Sequence, residues 1–556
     1  MKLSEALEGY LRNNESLLPE LQSKNGIRRF PLRLPKFPQG RSLGDVWLEL
    51  PIRFPYHDLA IIKVARDNVL KVPHVESSGK VCFDNGDPGS SSGASEIDRI
   101  QQLISSFYEH FLQPWCAGEL DSDFYYEAQN YWRIYCHKYA SPNNAVHKLY
   151  TVSKRPTEPC VYYGTYLVNQ RTVIASDDSI LSNSFVASMS NGKQLRKVLV
   201  ADIPVSIAFT PNSWPQDYAE IGRLVRMRLG EKAAKKFLPN HSYSFLIHKV
   251  VIFRAPDCSF AYLLEGGPPN IVRQGFSYRS YPTKMLTPLF VERLDPSWTC
   301  GRDQHPEVVE RQQMSILAIG AGALGSPVIS QLAKAGVGKL IILDNDYLSA
   351  ANIGRHELGA DSIGKSKSKV LSKNLGLRWP SCKFVAEHKT IQQWLKSNDL
   401  LDVDMIIDLT GEPEVRLCID DARKEQNDCP LIIGWMEPYV AAAHACVLPK
   451  NSFWMIDSTD RLESLQAISW PNDVMLNEPS CSSVFQSYTS AAATHAVALI
   501  TEAAIDLLDG KIQEPFVRHW VRGQKYLDSH RSDLCLRDWA QQAAPFDGLS
   551  LETVYE

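Results

Sequence analysis

The spacing of apolar residues changes character along the chain and predicts three regions. Residues 1–25 carry helical spacing, and Leu43–Ala65 alternates apolar and polar positions with prolines at the breaks, which predicts strands. A stretch rich in Gly, Ser and Asp, DNGDPGSSSGAS (84–95), reads as a loop, and Glu96–Cys116 and Asp121–His137 return to helical spacing. Residues 1–150 are therefore expected to form an α+β domain. Over 151–300 the runs VYYGTYLV, TVIAS, KVLVADIPVSIAF, SFLIHKVVIF and FAYLLEG are strand-like, and Tyr218–Phe237 reads as a basic helix with a solvated face, giving an α+β middle domain. From about Pro306 a strand, SILAIG, runs through a glycine-rich turn into a helix, and KLIILD, DMIIDLT, PLIIGW and AAAHACVL follow. Strands alternating with helices predict a doubly wound parallel sheet in a third domain, 301–556. Within it 487–508 reads as a buried helix and 541–556 as a tail. The fold class expected is α/β multidomain.

Composition narrows the function classes. The chain has 556 residues, 44% hydrophobic and 22% charged, which excludes a disordered or fibrous protein. Lys and Arg number 59 against 63 Asp and Glu, a net charge of −4, so no whole-protein attraction to nucleic acid or anionic membrane is expected. The 12 cysteines form no CxxC pair, which argues against a disulfide scaffold and a zinc ribbon. The N-terminus lacks an apolar signal core. Met314–Ala333 is uncharged and long enough to span a membrane, but its glycines and proline suit a strand–turn–helix better. A reducing cytoplasm is the expected compartment.

Gly320-Ala-Gly322-Ala-Leu-Gly325 fits GxGxxG between a strand and a helix, where glycines permit a tight turn and close approach of backbone to phosphate. Asp344 ends the next strand, at the position that reaches a ribose hydroxyl in this fold. The residues beyond it argue for a nucleoside triphosphate over NAD. Asp344 and Asp346 are followed by Asn352, Arg355 and Lys367, and a leaving pyrophosphate needs such cations whereas hydride transfer does not.

The run GAGALGSPV, then IILDNDYLSAANIGRHEL, then GKSK closely resembles the adenylation domain shared by ubiquitin-activating enzymes and the MoeB/ThiF proteins, over about 310–510. That resemblance implies ATP and Mg²⁺, with Asp344 on the ribose and Asn352, Arg355 and Lys367 facing the phosphates. It implies a homodimer as well. One position departs from the pattern: the family's magnesium-binding aspartate is replaced by Gly411, with Glu412 next as the candidate metal ligand. Arg302 is the candidate for the family's arginine finger.

Two cysteines stand out. Cys481, in a polar segment before the Ala-rich helix, resembles the nucleophile of the autophagy-type activating enzyme, where a helix N-terminus would depress its pKa. A thiolate there would attack the acyl adenylate and hold the acyl group as a thioester. Cys82 closes the run Pro73-His74-Val-Glu-Ser-Ser-Gly79-Lys-Val-Cys82, which resembles the core of ubiquitin-conjugating enzymes but lacks the Pro and Asn of their H-P-N triplet. The alternative for each is a packing cysteine, the reading given to Cys429 and Cys446.

Conjugating-like, middle and activating-like regions in one chain resemble the activating–conjugating fusion proteins of bacterial CBASS anti-phage operons. The resemblance implies a cargo protein with a reactive C-terminus, namely a cGAS/DncV-like nucleotidyltransferase, transferred through Cys481 and Cys82 to a target amine. A ubiquitin-like cargo is the alternative within this chemistry. An NAD- or FAD-dependent oxidoreductase and a non-catalytic scaffold are the alternatives outside it.

Overall fold

The structure is a computed structural model. It describes residues 3–555 except 25, 39, 56, 84–94, 141–145, 178, 191–194, 239–247, 275–276, 427–428, 456–458, 475, 478–483 and 486–487. The polar loop expected over 84–95 thus lies, Ser95 apart, outside the described residues. The chain forms two compact units: Met1–Leu149, Arg155–Val173 and Arg196–Glu292 make the first, and Tyr150–Lys154, Ile174–Leu195 and Arg293–Glu556 the second.

In the first unit, helix α1 (Glu5–Asn13) is capped by Ser4, whose hydroxyl accepts the Leu7 N–H, and it buries Leu7 and Leu11. The helix expected over 1–25 stops here. Asn14 is extended, and its side-chain oxygen accepts the Ser16 N–H at 2.8 Å, so the local side-chain bond replaces a helical one. The chain then enters an antiparallel four-stranded sheet in sequence order: β1 (Leu21–Lys24), β2 (Ile27–Pro31), β3 (Val46–Leu50) and β4 (Ile61–Val64). Helix α2 (Glu96–Ser106) begins at a Ser95/Asp98 capping box and runs on through a π turn, Phe107–Leu112, to Gln113–Ala117. After a short helical turn, Asp123–Tyr126, helix α3 (Ala128–Tyr139) buries Tyr131 and Trp132.

Seven strands, β5 (Lys148–Thr151), β6 (Cys160–Leu167), β7 (Thr172–Ala175), β8 (Leu195–Pro204), β9 (His248–Arg254), β10 (Ser259–Gln274) and β11 (Ser277–Arg293), close into a barrel. The basic helix is broken at Gly230 (φ 76) into α4 (Tyr218–Leu229) and α5 (Glu231–Phe237). Ile221, Val225, Ala234 and Phe237 face the core, and Arg223, Arg226, Arg228, Lys232, Lys235 and Lys236 are exposed.

In the second unit, β12 (Ser315–Ile319), β13 (Lys339–Leu343), β14 (Lys383–Glu387), β15 (Met405–Asp408) and β16 (Leu431–Met436) run parallel in the order β14-β13-β12-β15-β16. Three antiparallel strands extend the sheet: β17 (Ala442–Leu448), β18 (Phe516–Val521) and β19 (Leu549–Val554). Ile316, Ala318, Leu340, Ile342 and Ile407 enter one apolar cluster, and Leu317, Ile319, Ile341, Leu343 and Ile406 another, so the sheet is covered on both faces.

Helix α6 (Gly325–Lys334) follows β12, α7 (Lys367–Arg378) and α8 (Pro413–Glu425) precede later strands, and α9 (Ser490–Leu508) packs on β16 and β17. That packing is tight. A Cβ on Gly434 would meet Ile500 Cδ1 at 2.6 Å. Among the described residues α9 is the one helix long and apolar enough to cross a membrane, and Ala496, Ile500, Ala503 and Ala504 on it lie in the core. Residues 541–556 are not a tail. They supply the edge strand β19, and the buried Tyr555 stacks on Trp454 with ring centroids 5.8 Å apart.

Candidate active site

The strand order reverses between β12 and β15, and at such a switch point the loops leaving the two strands part to form a crevice at their C-terminal ends. A cleft of about 280 Å³ sits there, lined by Gly320, Gly322, Asp344, Asp346, Lys367 and Glu412 among others.

The three glycines have three different local reasons. Gly320 has φ 87, and a Cβ would press on Thr410 Cγ2 and the Leu409 carbonyl carbon at 3.0 and 3.1 Å. Gly325 lets α6 approach the turn: its Cβ would fall 1.9 Å from the Gly320 carbonyl oxygen. At Gly322 a Cβ would meet nothing within 4 Å. Its lack of a side chain thus serves the open cleft and not the packing.

Side chains hold this turn from two sides. Asp344 Oδ2 accepts the Ala321 N–H at 2.7 Å and its Oδ1 the Asp346 N–H at 2.8 Å. On the other side His356 Nδ1 accepts the Leu358 N–H at 3.0 Å, so Nε2 carries the proton and donates to the Ala321 carbonyl at 2.6 Å. Burial lowers the His356 pKa and keeps the ring neutral.

Lys367, at the first turn of α7, is buried and pairs with exposed Asp346 at 2.9 Å. A phosphate arriving in the cleft would compete for that ammonium. Asn352 and Arg355 sit on the loop between β13 and α7 and do not line the cleft. Asn352 Oδ1 accepts from the Ser349 N–H and hydroxyl at 3.1 and 3.0 Å, and the Arg355 guanidinium lies 4.7 Å from the Tyr488 ring centroid. Tyr488 belongs to a second cavity of about 270 Å³, lined also by Leu324, Gly411, Trp435 and Glu437, which shares Leu409 and Thr410 with the cleft.

Sequence reading missed the turn after β15. Asp408 is buried; its Oδ1 accepts the Thr410 N–H and hydroxyl at 3.0 and 2.7 Å, and its Oδ2 has no partner. Burial pushes its pKa up to about 6, against the pull of those two bonds. Nothing in the spacing of DLTGEPEVR distinguishes Asp408 from a solvated carboxylate. Glu412 leads into α8, its N–H held by Thr410 Oγ1 at 3.1 Å, and its side chain lines the cleft with Glu414. Gly411 has φ 73 and open space at its Cβ. Among the described residues no group of three or more His, Cys, Asp or Glu could hold a metal ion. Arg302 is folded back onto the helical turn Pro296–Thr299 that precedes it, with its guanidinium over Trp298 and bonded to the Trp298 and Thr299 carbonyls.

Cys481 lies outside the described residues. Cys82 lies in the first unit, at the end of a tight hairpin in which the Cys82 N–H donates to the His74 carbonyl at 2.8 Å and the Glu76 N–H to the Lys80 carbonyl at 2.9 Å. Gly79 turns the hairpin with φ 85, where a Cβ would strike the Val64 carbonyl oxygen at 2.5 Å. His74 Nε2 and Nδ1 meet Asp123 at 2.8 Å and Glu127 at 3.3 Å. Glu127 and then Asp123 raise the His74 pKa against burial. Cys429 and Cys446 are buried core residues, as their apolar runs predict.

The ThiF family profile matches residues 306–513. The ATP-dependent ubiquitin transferase-like protein Cap2 of Pseudomonas aeruginosa is 26% identical over 240 residues, 42% of this chain and 42% of that protein. Its Enterobacter hormaechei counterpart is 32% identical over 158 residues, 27% of this chain and 25% of that protein. A probable molybdopterin-synthase adenylyltransferase of Porphyra purpurea is 35% identical over 117 residues, 21% of this chain and 31% of that protein. The chain thus spans less than half the length of these curated relatives. The crystal structure of E. coli MccB with ATP aligns with 38% of this chain and 61% of its own, at 14% identity and a TM-score of 0.29. Residues 306–513 are a ThiF-family adenylation domain, carried in a chain similar to the Cap2 proteins.

Proposed function

We propose that the chain is an ATP-dependent protein-conjugating enzyme. It adenylates the C-terminal carboxylate of a cargo protein with release of pyrophosphate. Cys481 displaces AMP and carries the thioester, Cys82 accepts it, and an amine on the target takes the acyl group. The observation that carries this reading is the cleft at the strand switch point. There Gly322 leaves room for phosphate beside Asp344, Asp346, Lys367 and Glu412. In this reading Gly320 and Gly325 shape the phosphate turn, Asp344 meets the ribose, and Lys367 exchanges Asp346 for phosphate oxygen. Asn352 and Arg355 close on the phosphates from the loop above.

Magnesium, when bound, offsets phosphate charge. It needs only one or two carboxylates when phosphate and water supply the remaining ligands. Glu412 on the cleft wall fits that limited role, Gly411 having no side chain to offer.

Residues 1–150 are proposed as the conjugating-like domain, 151–300 as the middle domain and 301–556 as the activating-like domain, in a cytoplasmic homodimer. A cGAS/DncV-like nucleotidyltransferase is the proposed cargo, supported by the resemblance to the CBASS fusion proteins and the likeness to Cap2. A ubiquitin-like cargo is the second reading, favoured by the likeness to proteins described as ubiquitin transferase-like. The test is trapping in the native host with tagged wild type, Cys481→Ala and Cys82→Ala. A reductant-sensitive, higher-mass adduct is expected in wild type, absent in Cys481→Ala and retained in Cys82→Ala, and its mass identifies the cargo. An ATP-binding protein that forms no adduct in any of the three would sink the proposal.

A further inference from the structure

The hairpin that presents Cys82 also presents a carboxylate to it. Val75 bridges Val81 in antiparallel fashion, and the backbone bonds on either side set His74 opposite Cys82 and Glu76 opposite Lys80. Glu76 and Cys82 are therefore diagonal neighbours across the ladder, a separation that a long side chain can close. The structure shows it closed: Cys82 Sγ donates to Glu76 Oε1 at 2.9 Å. Both residues are half-buried, so the pair keeps a face to solvent. The Gly79 turn fixes the register, since its N–H donates to the Glu76 carbonyl at 2.8 Å.

A nucleophile and a base within hydrogen-bond reach are the geometric signature of an activated thiol. The residue opposite Cys82 on the hairpin is anchored. His74, held by Asp123 and Glu127, keeps its backbone N–H on the Tyr131 hydroxyl at 2.7 Å, and Tyr131 donates in turn to Glu127 at 2.8 Å. In the resting protein, burial and then Glu76 push the Cys82 thiol up to about 12, partly opposed by Lys80, so preformed thiolate is scarce near neutrality. A base that takes the proton during attack removes the need for it.

We propose that Glu76 is the proton acceptor for Cys82 when the thiol attacks an incoming acyl thioester. This rests on the reading of Cys82 as the acyl acceptor. In the step, the Cys82 S–H bond breaks and its proton passes to the Glu76 carboxylate. A carbon–sulfur bond forms to Cys82, the bond to the donor sulfur breaks, and the departing thiolate leaves with the electron pair.

The experiment uses the full chain at one fixed pH near neutrality, with two probes read by peptide mass mapping at Cys82. Iodoacetamide reports the thiolate population, and the glycyl thioester of 2-mercaptoethanesulfonate reports acyl transfer. In Glu76→Gln, alkylation is expected to accelerate, because a negative charge beside the thiol is gone. Acyl transfer is expected to slow by about 100-fold, the loss typical of a general base. Glu76→Asp, which keeps a carboxylate, should recover part of the transfer rate. Both rates rising in Glu76→Gln would overturn the proposal, leaving Glu76 a brake on ionisation. Both falling would overturn it as well, leaving Glu76 a clamp on the thiol's position. Wild-type Cys82 that alkylates but is never acylated would instead overturn the acyl-acceptor reading beneath it.

Discussion

Gly322 and Gly325 stand three positions apart and differ in what a methyl group would meet. Gly325→Ala must displace the Gly320 carbonyl from a 1.9 Å contact, so it is expected to cost about 3 kcal/mol or more, seen as a fall in unfolding temperature. Gly322→Ala has open space and should leave that temperature within about a degree or two while abolishing the stabilisation given by ATP. Equal destabilisation by both would deny Gly322 a ligand-facing role. Asp408 supplies a pH prediction. Its pKa in the folded chain is about 6 against an ordinary 3.8, so the folded state binds the extra proton between those values. Stability contributed by the neutral form is then complete below about pH 4 and lost as pH rises through 6, at a cost of about 3 kcal/mol. Asp408→Asn, which retains an acceptor for Thr410, should be more stable than wild type at pH 7.5 and match it at pH 4. Thermal unfolding across that range checks the crossover.

At the scale of elements, two short segments have effects beyond their length. Removing 549–556 would strip β19 from β18 and Tyr555 from Trp454, leaving a bare sheet edge and an uncovered indole. A drop of roughly 5 °C or more in the unfolding temperature is expected, and no change would mean that the strand is dispensable. The hairpin 74–82 is similarly constrained. Gly79→Ala places a Cβ 2.5 Å from the Val64 carbonyl oxygen at a left-handed φ, and should alter Cys82 alkylation although residue 79 touches no thiol. An unchanged alkylation rate would show that the turn does not set the Cys82–Glu76 register.

At the scale of the molecule the discriminating question is which nucleotide the second unit holds. ATP should raise the unfolding temperature of the wild-type chain and NAD should not, and Lys367→Ala should abolish the ATP effect. Stabilisation by NAD alone would return the oxidoreductase reading. The strand order of the parallel part of the sheet supports the expectation of a nucleotide, because it opens a cleft at the loop that carries the glycines, and Lys367 on the cleft wall is what favours a phosphate chain. The four-stranded sheet of the first unit is an antiparallel meander, and the chemistry proposed for that unit sits at one hairpin.

Short-range spacing by itself determined the alternating β and α segments after Pro306, the glycine turn, Asp344 after the second strand, and the placing of Cys82 beyond a glycine. Each depends on neighbours a few residues away, where period and backbone permissiveness are written directly in the residue types. Tertiary structure alone decided that 549–554 is a strand and that Asp408 is sealed from water. It also decided that His356 braces Ala321 from 35 residues away. Those outcomes are set by burial and by pairing between distant segments. The same Asp or Glu is a solvated charge in one place and a perturbed, hydrogen-bonded group in another, and a linear pattern carries no record of which chain segment will close over it.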